Sequence, residues 1–78
     1  MSTNNLATRF GQVRGYFLDH GLSKHYMPIF AAIRPELEPH AETIRRWWNS
    51  KGHPKDQHED IVEAMEEVVE HIKNARTL

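Results

Sequence analysis

The sequence predicts an all-α fold, a compact bundle of four or five helices that contains a helix-turn-helix-like unit. Apolar residues recur at spacings of three and four, glycines and prolines separate these segments, and no long stretch alternates between apolar and polar residues as a strand would. The 78 residues suffice for one domain with a thin core, and no cysteine is present to cross-link it. We expect residues 1–78 to form a single helical domain, with residues 1–4 disordered and residues 75–78 frayed.

The first two helices are predicted on either side of Gly21. The first runs from about Asn5 to His20, and Gly21 can end it because glycine readily adopts the left-handed conformation. The second begins near Ser23, a good N-cap residue, and ends before Pro35. Pro35–Pro39 then form a stiff connection in which Leu37 points inward. The apolar face of the first helix consists of Leu6, Phe10, Val13 and Phe17.

Two further helices are predicted in the second half of the chain. The third covers about His40 to Ser50 and carries its apolar residues on one side. The fourth runs from about Gln57 to Asn74, after a capping signal formed by Asp56 and Glu59. Its apolar stripe consists of Ile61, Met65, Val68 and Ile72, and Ala64 and Val69 broaden it. We expect this stripe to pack on the first helix. The alternative is a dimer seam, for which Val62, Val69 and Ile72 are the residues available to a second copy.

The net charge of −1 is an average over two unlike parts. Residues 1–55 contain eight Lys and Arg against four Asp and Glu, which gives +4. Residues 56–78 contain two Lys and Arg against seven Asp and Glu, which gives −5. Such an asymmetry says more about binding partners than the total does.

No pattern typical of an enzyme is present. The six histidines do not form the paired arrangement of a zinc protease, and the chain has no cysteine nucleophile and no Gly-rich phosphate loop. A small all-helical chain also offers little concave surface for a substrate. We therefore expect no catalytic residues, no metal site and no cofactor.

The sequence shows no sign of membrane insertion. No apolar run approaches the roughly 20 residues that span a bilayer. The first ten residues lack the basic and apolar regions of a signal peptide. We expect a cytoplasmic protein that does not bind membranes.

The segment from Thr43 to Lys55 is the strongest local feature, since it contains four basic residues and no acidic one. Its basic residues are Arg45, Arg46, Lys51 and Lys55. Cations neutralise phosphates, and an α-helix that carries arginine fits the major groove of DNA. The alternative is a solvent-exposed helix face whose two tryptophans anchor the core.

Two short motifs resemble the Cro/phage-repressor type (lambda-repressor-like) of helix-turn-helix family. The run Thr43-Ile44-Arg45-Arg46-Trp47, with Pro54 seven residues later, is similar to the third helix and following turn of that family. The run Gly21-Leu22-Ser23-Lys24 is similar to the stretch that joins its first two helices. The resemblance covers roughly residues 9 to 70. This chain departs from the family by a lengthened turn at Arg34–Pro39 that lacks the usual glycine.

The resemblance implies a role for nine residues. Those expected to contact DNA bases are His40, Glu42, Thr43 and Arg46. Those expected to contact the DNA backbone are Lys24, Arg45, Asn49, Lys51 and Lys55. For Glu42 the alternative is an acid that stabilises the N-terminus of the helix, and for Lys24 it is an ordinary surface lysine.

We therefore predict a small sequence-specific DNA-binding protein, a phage or bacterial transcriptional regulator that places the helix at residues 40–50 in the major groove. Its partner would be double-stranded DNA, bound by a homodimer on a two-fold operator. The alternative is a helical protein-interaction module, similar to an antitoxin or inhibitor, that binds a basic protein through the acidic helix at residues 56–74. The residues that would carry that binding are Glu63, Glu66, Glu67 and Glu70.

Overall fold

The computed structural model describes residues 5–76 and contains four α-helices. They are α1 (Leu6–Asp19), α2 (Tyr26–Ile33), α3 (Ala41–Trp48) and α4 (Glu59–Arg76). Three short 3-10 helices, Ser23–His25, Pro35–His40 and Asp56–His58, lie between them, and the described residues form no strand. The predicted all-α bundle is confirmed. The expectations for residues 1–4 and for residues 77 and 78 lie outside the described part of the chain.

Local capping interactions explain both ends of α1. The side chain of Asn5 accepts a hydrogen bond from the main-chain N–H of Thr8, at 3.1 Å. At the other end Gly21 has a φ of 69°, and the N–H of Leu22 donates to the carbonyl of Phe17 at 2.8 Å. This is a Schellman motif, so the predicted stop at Gly21 is confirmed. The four predicted apolar residues of α1 are all buried.

The end of α3 repeats this motif without a glycine. Ser50 has a φ of 61°, and the N–H of Lys51 donates to the carbonyl of Arg46 at 2.8 Å. The regular helix therefore ends at Trp48, two residues before the predicted end at Ser50. A left-handed conformation costs a residue with a side chain about 1–2 kcal/mol, so this turn carries a small strain.

The connections on either side of α2 are 3-10 helices. Residues Ser23–His25 form the first, so that α2 begins at Tyr26, three residues after the predicted start. Pro28 then lies in the first turn, where its missing N–H breaks no helical hydrogen bond. The second, Pro35–His40, buries Leu37 as predicted. It is longer than the three- or four-residue turn of a helix-turn-helix unit.

A histidine fixes the short 3-10 helix that precedes α4. The N–H of Lys55 donates to Nδ1 of His58 at 3.0 Å, and the N–H of His58 donates to the carbonyl of Lys55 at 2.8 Å. Asp56 occupies the first turn of this 3-10 helix, and Glu59 the first turn of α4. The acidic residues of the predicted signal therefore lie at the start of the helical segment.

The helix α4 packs against α1, as predicted, but its buried face is rotated from the predicted stripe. Ile61 and Ile72 are only half-buried, whereas Val62 is fully buried and Val69 nearly so. Both valines belong to the core of the monomer. The expectation that Val62 and Val69 are available to a second copy is therefore wrong.

An aromatic cluster forms the centre of the core around Trp48. Its ring lies 5.8 Å from Phe10 and 5.7 Å from Phe17, both edge-on, between ring centroids. From α2, Tyr26 stacks on it at 4.2 Å with 6° between the planes, and Phe30 lies edge-on at 6.0 Å. One indole of α3 therefore contacts both preceding helices.

The polar groups of Trp48 also have partners. Its indole N–H donates to the hydroxyl of Ser23 at 3.1 Å, and its carbonyl accepts from Nε of Arg14 at 3.0 Å. Carbonyls in the last turn of a helix have no partner within the helix, so Arg14 satisfies one of them from α1. Among the described residues, no buried side-chain nitrogen or oxygen lacks a hydrogen bond.

Replacement of Ser50 by glycine should stabilise the protein. Ser50→Gly relieves the left-handed strain, so we expect the free energy of unfolding to rise by about 0.5–1 kcal/mol in urea titrations. Gly21→Ser is the matched reverse change, because a Cβ at Gly21 would meet no atom within 4 Å. It should lower the free energy by about 1 kcal/mol. A lower free energy of unfolding for Ser50→Gly would contradict the left-handed conformation assigned to Ser50.

The hydrogen bond between Ser23 and Trp48 can be measured by a double-mutant cycle. We expect Ser23→Ala and Trp48→Phe to be coupled by about 1 kcal/mol in urea unfolding, because either change removes the same bond. If the double variant loses the sum of the free energies of unfolding that the two single variants lose, within about 0.3 kcal/mol, the hydrogen bond contributes nothing to stability.

Candidate nucleic-acid interface

A groove lies between the end of α3 and the loop that leads to α4. Its volume is about 440 Å³. The residues that line it, here called the basic groove, are Thr43, Arg46, Trp47, Lys51, Gly52, His53, Lys55, Gln57 and His58. Three of them are cations and none is an aspartate or glutamate. The groove is therefore a concentrated positive surface on a protein whose net charge is −1.

Main-chain hydrogen bonds bring these cations together. Arg46 lies in the last turn of α3, and its carbonyl accepts from the N–H of Lys51, so the chain reverses at that point. Pro54, near the far end of the loop, is buried. Lys55 then sits at the turn fixed by His58. Local turns therefore bring these three cations, which lie within ten residues of sequence, to one groove.

Trp47 forms the floor of the basic groove. It is 6% exposed, and its ring packs edge-on against Phe10 at 5.7 Å between centroids. The ring of His58 lies edge-on to it at 5.0 Å. Because Phe10 belongs to α1, the groove rests directly on the core.

The basic groove keeps its charge because its cations have no internal partners. Arg46, Lys51 and Lys55 are exposed and form no ion pair with the described residues. Two other arginines of the first half of the chain, Arg9 and Arg34, pair with acids of α4. The positive charge of residues 1–55 is thus partly neutralised inside the fold, and three of the cations that form no ion pair line the groove.

The pairing of Arg9 joins α1 to α4. Its Nε and Nη2 atoms lie 3.0 and 2.6 Å from the two carboxylate oxygens of Glu66, and Nη1 lies 3.9 Å from Glu59. The hydrogen bond to Glu66 raises the pKa of Arg9 above its ordinary value. Such a two-point contact is among the stronger ion pairs in proteins.

Arg34 forms a second connection to α4. It pairs with Glu67 on α4 and with Glu36 in the adjoining 3-10 helix. The hydrogen bond from Arg34 lowers the pKa of Glu36. Two of the four glutamates predicted to bind a basic partner, Glu66 and Glu67, therefore have cationic partners within the chain. Glu70 lies 3.9 Å from Lys73 on its own helix.

The structure gathers four of the nine predicted DNA contacts in the basic groove. These are Thr43, Arg46, Lys51 and Lys55. Gln57 and His58 line the same groove but are not among the predicted contacts. His53, which belongs to the basic segment Thr43 to Lys55, lines it too. The three lie within three residues of Lys55, which is the signal that could have identified them.

The other five predicted contacts lie outside the groove. Glu42 and Arg45 pair with each other on the exposed side of α3. The charge of Arg45 also acts on Tyr26 of α2: burial raises the pKa of Tyr26, and Arg45 opposes that rise. This places Arg45 near α2, away from the groove. The remaining three, His40, Asn49 and Lys24, are exposed.

The comparisons with family models, with curated proteins and with solved structures give no match for this chain. None of the helices in the described range is both long and apolar enough to cross a membrane. Between residues 5 and 76 no three histidine, aspartate or glutamate side chains come together as a metal site would require. The basic groove is thus the feature on which a functional proposal can rest.

The internal role of Glu66 can be tested against a neighbouring glutamate. Glu66→Gln should lower the free energy of unfolding by about 1 kcal/mol, because it weakens the two-point contact with Arg9. Glu63→Gln removes the same charge one turn away but breaks no ion pair, so it should change stability by less than about 0.5 kcal/mol. Equal effects in urea titrations would contradict an internal role for Glu66.

Proposed function

We propose that this protein is a small sequence-specific DNA-binding protein that regulates transcription, with α3 and the basic groove against the duplex. The observation that carries the proposal is the groove itself, in which three unpaired cations lie together without a lining acid. Neutralisation of phosphates is the main source of affinity for DNA, and it needs cations that are free of internal partners.

The contacts divide according to the position of each residue. Lys51 and Lys55, on the loop, would neutralise phosphates on one strand. Arg46 and Thr43, on α3, would reach toward the bases, where arginine can bind the O6 and N7 atoms of guanine.

The acidic surface of α4 supports one orientation on DNA. Asp60 and Glu63 are exposed and would be repelled by phosphates, so α4 would face away from the duplex. The alternative function, binding of a basic protein through α4, has less support because Glu66 and Glu67 already pair with arginines of this chain.

Binding to duplex DNA should depend steeply on salt. The two phosphates neutralised by Lys51 and Lys55 predict a loss of affinity of about 12-fold between 50 and 200 mM salt. Fluorescence anisotropy with a labelled duplex measures this directly. Lys51→Gln should weaken binding to all sequences and reduce the slope of log affinity against log salt by about 1. Lys73→Gln removes the same charge from α4 and should change neither quantity.

Base recognition requires a second measurement. Selection from random duplexes should enrich a preferred sequence, and Arg46→Gln should reduce that preference by about 1–3 kcal/mol at one base pair. The stoichiometry on the selected duplex then reports whether one copy or two bind. Absence of duplex binding at 50 mM salt would refute the proposed function.

A further inference from the structure

The basic groove has a shape that duplex binding does not require. A helix that enters the major groove of DNA presents a convex surface, whereas this site is a concavity of about 440 Å³. Sites for small molecules typically measure about 300–1,000 Å³. The groove is therefore large enough to receive a compact ligand, apart from any contact with a duplex.

The lining of the groove offers hydrogen-bond donors and positive charge. Arg46 presents a planar fork that suits phosphate oxygens, and Lys51 and Lys55 add two point charges. Gly52 and His53 also line the groove, and their main-chain N–H groups donate no hydrogen bond to another described residue. These groups would suit a ligand that only accepts hydrogen bonds.

His58 adds a further donor. Its Nδ1 atom accepts the N–H of Lys55, so the neutral ring carries its hydrogen on Nε2. That atom can donate and cannot accept. The hydrogen bond also keeps Lys55 and His58 at one turn of the chain, which fixes their positions before any ligand binds. The site is thus partly organised in advance, which lowers the entropic cost of binding.

We propose that the basic groove binds the oligophosphate chain of a small molecule, of the class found in nucleoside di- and triphosphates. Three cations match the charge of two or three linked phosphates, and no lining carboxylate opposes it. This inference shares residues with the proposed function but goes beyond it, because an oligophosphate can bind whether or not duplex DNA does. Where both bind, the oligophosphate displaces DNA, since the two use the same cations.

The test is a titration of the full chain with sodium tripolyphosphate and, separately, with adenosine triphosphate. Two-dimensional amide NMR at constant ionic strength should show saturable shifts confined to residues 43–58, including the amides of Gly52 and His53. Arg46→Gln combined with Lys51→Gln should weaken binding at least about tenfold, the equivalent of about 1.4 kcal/mol. Lys73→Gln is the charge-matched control and should bind as the unaltered chain does.

The two probes distinguish the source of the phosphates. Tighter binding of adenosine triphosphate supports a nucleotide ligand, and equal binding supports recognition of the phosphate chain alone. Shifts that do not saturate, that spread over all basic residues, or that sulfate reproduces at the same ionic strength overturn the proposal. Because exposed residues are altered, a retained circular dichroism spectrum excludes unfolding as the cause of lost binding.

The two proposals can fail separately. Saturable tripolyphosphate binding without any duplex binding would refute the DNA-binding function and support the oligophosphate site. Duplex binding that tripolyphosphate does not displace at matched ionic strength would support the DNA-binding function and refute the oligophosphate site. Displacement of labelled duplex by tripolyphosphate, but not by an equal ionic strength of sodium chloride, is the result expected when both hold.

Discussion

The packing of Trp48 is the interaction on which the rest of the structure depends. Its indole contacts rings from α1 and α2, its N–H binds Ser23, and its carbonyl is satisfied by Arg14. A chain of this length buries only about 60% of its surface, so one residue that joins three helices contributes a large share of the core. Aromatic side chains suit this role because they bury the most apolar area per residue.

The position of Trp48 also determines the position of the candidate site. With Trp48 and Trp47 both directed into the core, the next residue back, Arg46, is left at the surface in the last turn of α3. The left-handed Ser50 then turns the chain so that the following lysine lies on the same side. The strain at Ser50 is thus located at the edge of the basic groove, where it contributes to the shape of the site.

The distribution of charge follows from the packing of α4. This helix carries most of the acidic residues, and it contacts α1 and α2. Its carboxylates meet Arg9 of α1 and Arg34, the residue that follows α2. These ion pairs remove two cations from the set available to an external anion. The cations of the basic groove form no ion pair with the described acids of α4 and keep their charge. A sum over residues 1–55 counts all of these cations alike, although only some are free to bind a partner.

The sequence by itself determined the four helices, because apolar spacing, Gly21 and Pro35 act over a few residues of chain. It also located the basic segment, of which Arg46, Lys51 and Lys55 share one groove. Only the tertiary structure decided which face of α4 is buried. Val62 and Ile61 are both apolar, and the packing of α4 against the other helices buries Val62 more completely than Ile61. It likewise decided which cations stay unpaired and brought His58 to Lys55, because ion pairs and turns depend on distances that periodicity does not contain.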